Sequence, residues 1–95
     1  MLSKIPVLME KIGKEDIDKE ILRLAIIAEL DAINLYEQMA NLANDRNLKD
    51  VLMDVAKEEK THVGEFQAML LRMDEEQVEE LEKGKKEVEE ILGGD

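Results

Sequence analysis

Apolar residues recur at three- and four-residue intervals in two long blocks separated by a polar break. In the first block Leu22, Ile26, Ile33, Tyr36 and Ala40 fall on one helical face. In the second, Leu48, Val51, Leu52, Val55, Ala56, Val63, Phe66 and Leu70 do the same. Asn44-Asp45-Arg46-Asn47 lies between them and favours a tight turn. The pattern predicts helices over 16–43 and 48–73, with Asp16 or a neighbour capping the first. Two amphipathic helices joined by a short turn make an antiparallel hairpin. A third block opens at Asp74-Glu75-Glu76-Gln77, which has the N-cap and N3 residues of a capping box, and runs to Leu92. It carries a narrow stripe of Val78, Leu81, Val88 and Leu92 in an otherwise charged segment, and such a helix needs a surface to pack on, most naturally a neighbouring subunit. Ahead of the hairpin, Ser3–Ile12 reads as a short helix or arm, with Ser3 as cap and Gly13 as stop. Gly93-Gly94-Asp95 reads as a frayed end or the start of a linker. The expected fold class is all-α in one domain, 1–95: an arm to residue 15, a hairpin over 16–73 and an oligomerisation helix over 74–95.

Both hairpin stripes are interrupted by polar residues at places that should face the core. Glu29 lies three residues after Ile26 and four before Ile33; Glu59 lies four after Val55, and His62 directly precedes Val63. A buried carboxylate without a partner costs several kcal/mol or becomes neutral, and a bound cation removes that cost. Glu29 and Glu59 are each 15 residues from Asn44. At about 1.5 Å of rise per residue both lie roughly 22 Å from the turn, side by side. His62, three residues after Glu59, projects from the same face. Two carboxylates and an imidazole form a ligand set suited to iron, manganese or zinc. The Glu-x-x-His pair alone is a weak signal in so acidic a chain, and a packed histidine bonded to Glu59 or Glu58 explains it equally well. A di-iron carboxylate bundle requires one Glu from each of two helices and a Glu-x-x-His from each of the other two. This chain holds half of that set, so two copies related by a two-fold axis would be needed to complete it.

Charge changes the picture only modestly. The 95 residues contain 24 acids and 13 bases, a net charge of −11. That balance disfavours nucleic acid and anionic membranes as partners and suits cations, though it also describes an ordinary solvated helical surface. There is no Cys, which removes disulfides and thiolate metal sites. No apolar run approaches the roughly 20 residues that span a bilayer, and a cytoplasmic setting is expected.

The stretch Glu29-Leu-Asp-Ala-Ile-Asn-Leu-Tyr36-Glu-Gln and the block Glu58-Glu59-Lys60-Thr61-His62 resemble the encapsulated ferritins, truncated ferritin-like proteins housed in encapsulin shells. The resemblance runs from about Glu29 to Met69. It implies a hairpin plus a C-terminal helix that dimerises into a four-helix ferroxidase site, assembled as a decamer ring. It implies two irons per dimer, oxidised from Fe²⁺ to Fe³⁺ with O₂ for mineral storage in the nanocompartment, with other divalent metals such as Mn, Zn or Ca also able to bind. Glu29, Glu59 and His62 become metal ligands. Tyr36 becomes a neighbour of the catalytic site, or else a core aromatic with a bonded hydroxyl. Carboxylates often flank the first ligand in this family as a metal-uptake site; here Ala28 departs from that pattern and Asp31 retains a shorter acid. Some relatives are fused to the shell protein, so the chain also fits an N-terminal domain of such a fusion. Two other readings stay open: a non-catalytic acidic oligomerisation module, in which Glu59 and His62 make a polar interface contact, and a rubrerythrin-like peroxidase. The missing rubredoxin-type Cys cluster weighs against the latter.

Overall fold

The computed structural model describes residues 14–93, which form three α-helices and no strand: α1 (Lys14–Leu42), α2 (Arg46–Met73) and α3 (Glu75–Ile91). The fold is all-α, a helical hairpin followed by a C-terminal helix. The arm expected over Ser3–Ile12, with its cap at Ser3 and stop at Gly13, lies outside the described residues, as do Gly94 and Asp95.

Local capping sets where α2 and α3 begin. α1 is already helical at Lys14, so Asp16 sits within its first turns rather than capping it. α2 starts at Arg46, two residues earlier than expected. Asp45 takes an extended conformation (φ −75°, ψ 128°), and its carboxylate accepts a 2.8 Å hydrogen bond from the Leu48 N–H. That bond satisfies one of the orphan donors of the first turn and shortens the break to Ala43–Asp45. Asp74 is the single non-helical residue between α2 and α3. At φ −136° and ψ 87° it redirects the chain, and its carboxylate accepts from the Gln77 N–H at 3.0 Å. The cap half of the expected capping box is therefore formed. The Gln77 N–H holds the Asp74 carboxyl below its ordinary range; burial opposes it as the next largest effect, and Arg23 and then Lys19 add to the lowering. Arg23 reaches Asp74 across 3.2 Å and ties α1 to the start of α3.

α1 and α2 pack along their whole length. The buried apolar residues are Ile33 and Ala40 on α1 and Ala56 and Leu70 on α2. The two small alanines let the backbones approach closely, Ala40 beside the turn and Ala56 further along α2. Lys60 and Glu37, 3.4 Å apart, bridge the two helices on one flank. Two members of the α2 stripe depart from expectation: Leu48 and Val51 are 48% and 59% exposed, because a turn of about 100° per residue carries both round to one side of the Ala56–Leu70 line that meets α1. The α3 stripe is exposed as well, since α3 leaves the hairpin sideways. A 29-residue helix is about 43 Å long, so the two long dimensions of the molecule, 47 and 45 Å against a thickness of 19 Å, describe an L. Its radius of gyration, 17.1 Å, well exceeds the roughly 12 Å of a compact unit this size. No helix among the described residues is long and apolar enough to cross a membrane.

Candidate metal centre

Glu29 stands near the middle of α1 and Glu59 near the middle of α2, each on the face that packs against the other helix. Side chains on a helix tilt toward its own N-terminus. In an antiparallel hairpin the two tilts oppose each other, so a residue on α1 meets one slightly further along α2 than its level partner. The tilt brings His62, as well as Glu59, to Glu29. The His62 Nδ1 is 3.5 Å from a Glu29 Oε2 and 3.4 Å from a Glu59 Oε2. One ligand atom from each of the three lies within 4.8 Å of the others. Sequence spacing had placed these residues at one height, and the structure brings their side chains together.

The burial of the three is uneven in a way that matters. The Glu29 and Glu59 side chains are 18% and 19% exposed, whereas His62 is 42% exposed. Turning about 100° per residue, His62 falls to one side of the Ala56–Leu70 line along with Val51, Val55 and Met69. On α1, Ala25, Ala32 and Tyr36 lie on that same side of the Ile33–Ala40 line. The cluster therefore opens on a predominantly apolar flank of the hairpin. Tyr36 is half-buried, two turns beyond Glu29, and is not part of the converging set. Asp31 is half-buried too, but two residues from Glu29 it is turned some 200° around α1, away from the cluster.

The donors fit a metal ion better than they fit one another. The Glu29 Oε2 is buried without a hydrogen-bond partner, and a lone imidazole nitrogen 3.4–3.5 Å from two carboxylates is too distant to satisfy both. Two ligands each about 2.0–2.2 Å from a shared first-row ion stand roughly 3–3.5 Å apart, the spacing observed. A buried acceptor pointed at an imidazole and a second acid, in an otherwise apolar surrounding, is what a cation would neutralise. Sequence reasoning did not anticipate the Arg23–Asp74 and Lys60–Glu37 pairs, whose members lie 51 and 23 residues apart with no local pattern joining them.

Comparison with known proteins identifies the family. The family model described as rubrerythrin matches residues 20–91. The chain is 58% identical over 96 residues to the ferritin-like-encapsulin shell fusion protein of Pyrococcus furiosus, a match covering 98% of this chain and 28% of that protein. It is 41% identical over 56 residues to the encapsulin nanocompartment cargo protein EncC of Myxococcus xanthus, covering 59% of this chain and 43% of that one. The chain thus spans less than half the length of either curated relative. The crystal structure of the encapsulated ferritin domain from Pyrococcus furiosus superposes with a TM-score of 0.83 at 57% identity, over 98% of this chain and 97% of that one. The chain belongs to the rubrerythrin family by the match over residues 20–91, and its sequence and fold place it among the encapsulated ferritins.

Proposed function

We propose that two copies pair through the flank bearing His62, so that two Glu29, two Glu59 and two His62 hold two Fe²⁺ between them, and that the paired site is a ferroxidase. Iron is the substrate: each Fe²⁺ gives up one electron, and O₂ accepts the pair. Glu29 and Glu59 would hold the ions and supply the negative charge that favours Fe³⁺ over Fe²⁺. His62 contributes a neutral nitrogen ligand. The observation that carries this reading is the buried, unpartnered Glu29 oxygen beside His62 and Glu59. Pairing is supported by the apolar character of the flank and by the small core of a single chain, in which the buried apolar residues among those described are Ile33, Ala40, Ala56 and Leu70.

The relatives extend the proposal. One is a ferritin-like protein fused to an encapsulin shell and another is an encapsulin cargo protein. We place this chain in the same setting: inside an encapsulin nanocompartment, assembled as a decamer of five metal-bearing dimers, passing oxidised iron to the enclosed space. Stopped-flow absorbance after mixing the anaerobic Fe²⁺-loaded protein with O₂ tests the chemistry. A ferric signal far above buffer, lost in His62→Ala, is expected. A signal no faster than buffer, or one unaltered by that substitution, would remove the ferroxidase reading and leave a non-catalytic oligomerisation module. Because the rubrerythrin family model matches, the same protein should also be mixed with hydrogen peroxide; oxidation by peroxide but not by O₂ would favour a peroxidase.

A further inference from the structure

The flank bearing His62 also carries side chains that the metal site does not use. The sequence has six methionines, no Cys and no Trp, so thioethers are its most readily oxidised groups. Among the described residues Met39 is half-buried, while Met53, Met69 and Met73 are 47%, 45% and 39% exposed. These three all lie on α2, and their spacing sorts them. Met69 and Met73 follow His62 by seven and eleven residues. At about 100° per residue both fall within roughly 20° of its direction. Met53, nine residues before His62, falls about 180° away, on the opposite flank. The helical rise sets Met69, Met53 and Met73 roughly 10, 13 and 16 Å from His62 along the axis. Exposure and axial distance are therefore alike, and direction alone separates Met53 from the other two.

We propose that Met69 and Met73 take up hydrogen peroxide formed at the metal centre and become methionine sulfoxides. This role rests on the paired ferroxidase reading. There two Fe²⁺ give one electron each, two protons come from water, and O₂ becomes hydrogen peroxide. A thioether lone pair then attacks one peroxide oxygen; the O–O bond breaks, an S–O bond forms and the other oxygen leaves as water. The sulfur loses two electrons and the peroxide gains them. Pairing through the His62 flank encloses both thioethers with the site, so peroxide meets them before it reaches bulk water. Met53 faces away from that space. Each pair thus carries a peroxide sink of limited size, the Met69 and Met73 thioethers of its two chains.

Peptide mass mapping of the full chain after iron oxidation tests the assignment. Anaerobic protein is loaded with two Fe²⁺ per pair, so that no spare Fe²⁺ remains to consume peroxide, and mixed with O₂ with and without catalase. One added oxygen is expected several-fold more often at Met69 and Met73 than at Met53, and catalase should leave that preference in place. Iron-free protein given hydrogen peroxide in bulk should show no such preference. Equal oxidation of the three after turnover, or loss of the Met69 and Met73 signal to catalase, would overturn the proposal. So would the same preference in iron-free protein, since it would then belong to the thioethers alone. Peroxide released per ferric ion formed gives a second readout. Leu keeps the apolar character and nearly the volume of Met, so M69L/M73L should fold as the parent does and release several-fold more peroxide in its first turnovers. Equal release would overturn the sink. A ferric signal with evenly spread oxidation removes this proposal alone, whereas no ferric signal at all removes the ferroxidase reading and this proposal with it.

Discussion

At the scale of single residues, Glu29 decides most. Its buried oxygen has no hydrogen-bond partner, so in the metal-free protein the carboxylate is a liability of about 1–3 kcal/mol. Glu29→Gln keeps the shape, lowers that cost and removes a ligand. The metal-free variant should therefore melt at or above the parent's temperature, whereas the gain on adding Fe²⁺ or Zn²⁺ anaerobically should largely vanish. A bound ion at 100 times its Kd adds about 2.7 kcal/mol, enough for a shift of several degrees in a thermal melt. A Glu29→Gln protein that is destabilised without metal, and stabilised by metal as strongly as the parent, would contradict the assignment. Asp31 makes the contrasting case. Turned away from the cluster, Asp31→Asn should leave the stoichiometry of bound metal unaltered and slow only its arrival, seen as a lower rate of oxidation at limiting Fe²⁺. The three clustered residues were legible in the sequence because a helix has a fixed rise and the turn is short, so equal distances from Asn44 translate into equal heights. The extra reach to His62 was not legible in spacing alone, since it comes from the opposing tilt of side chains on antiparallel helices.

At the scale of elements, two aspartates govern where helices begin. Asp45→Ala should cost about 1 kcal/mol, read as a lower urea midpoint with little change in slope, by removing the acceptor of the Leu48 N–H. The sequence concealed this cap because all four residues from Asn44 to Asn47 favour a break, and only the structure shows which of them accepts the bond. Asp74 was legible, as the residue three before Gln77 at the head of a new amphipathic block. Its pH dependence has a definite sign. The folded-state pKa lies below the ordinary 3.8, chiefly through the Gln77 N–H and then through Arg23, so the carboxylate's contribution is fully present above that value and is lost as the pH falls through the folded pKa. The stability difference between the parent and Asp74→Ala should be flat from neutral pH to about pH 5 and shrink below pH 4, measured by urea unfolding at each pH. A difference that grows on acidification would overturn the account. Arg23, which completes this joint, could not have been read from the chain: its partner is 51 residues away.

At the scale of the whole molecule, one chain does not make a compact body. A thickness of 19 Å is that of a single layer of helices, and among the described residues none covers either broad side of that layer. Exposed Leu48 and Val51 on α2 occupy places that the hydrophobic pattern assigns to a core. The periodicity was correct, and in the proposed pair a second chain covers these places. Stability should accordingly depend on protein concentration: the thermal midpoint should rise by several degrees over a hundredfold increase in chain concentration. A midpoint independent of concentration would mean that the single layer stands alone.

The central position of the ligands along the hairpin has a bearing on how metal is kept. Glu29 is fifteen residues from the start of α1 and thirteen from its end, and Glu59 lies equally deep within α2. Helices open from their termini, and local opening becomes steadily more costly inward. Amide hydrogens around residues 29 and 59 should therefore exchange with solvent last in the chain. In the proposed pair, where fraying does not reach the ligands, retention of an ion is governed by how long two chains stay together rather than by how well either one holds its shape.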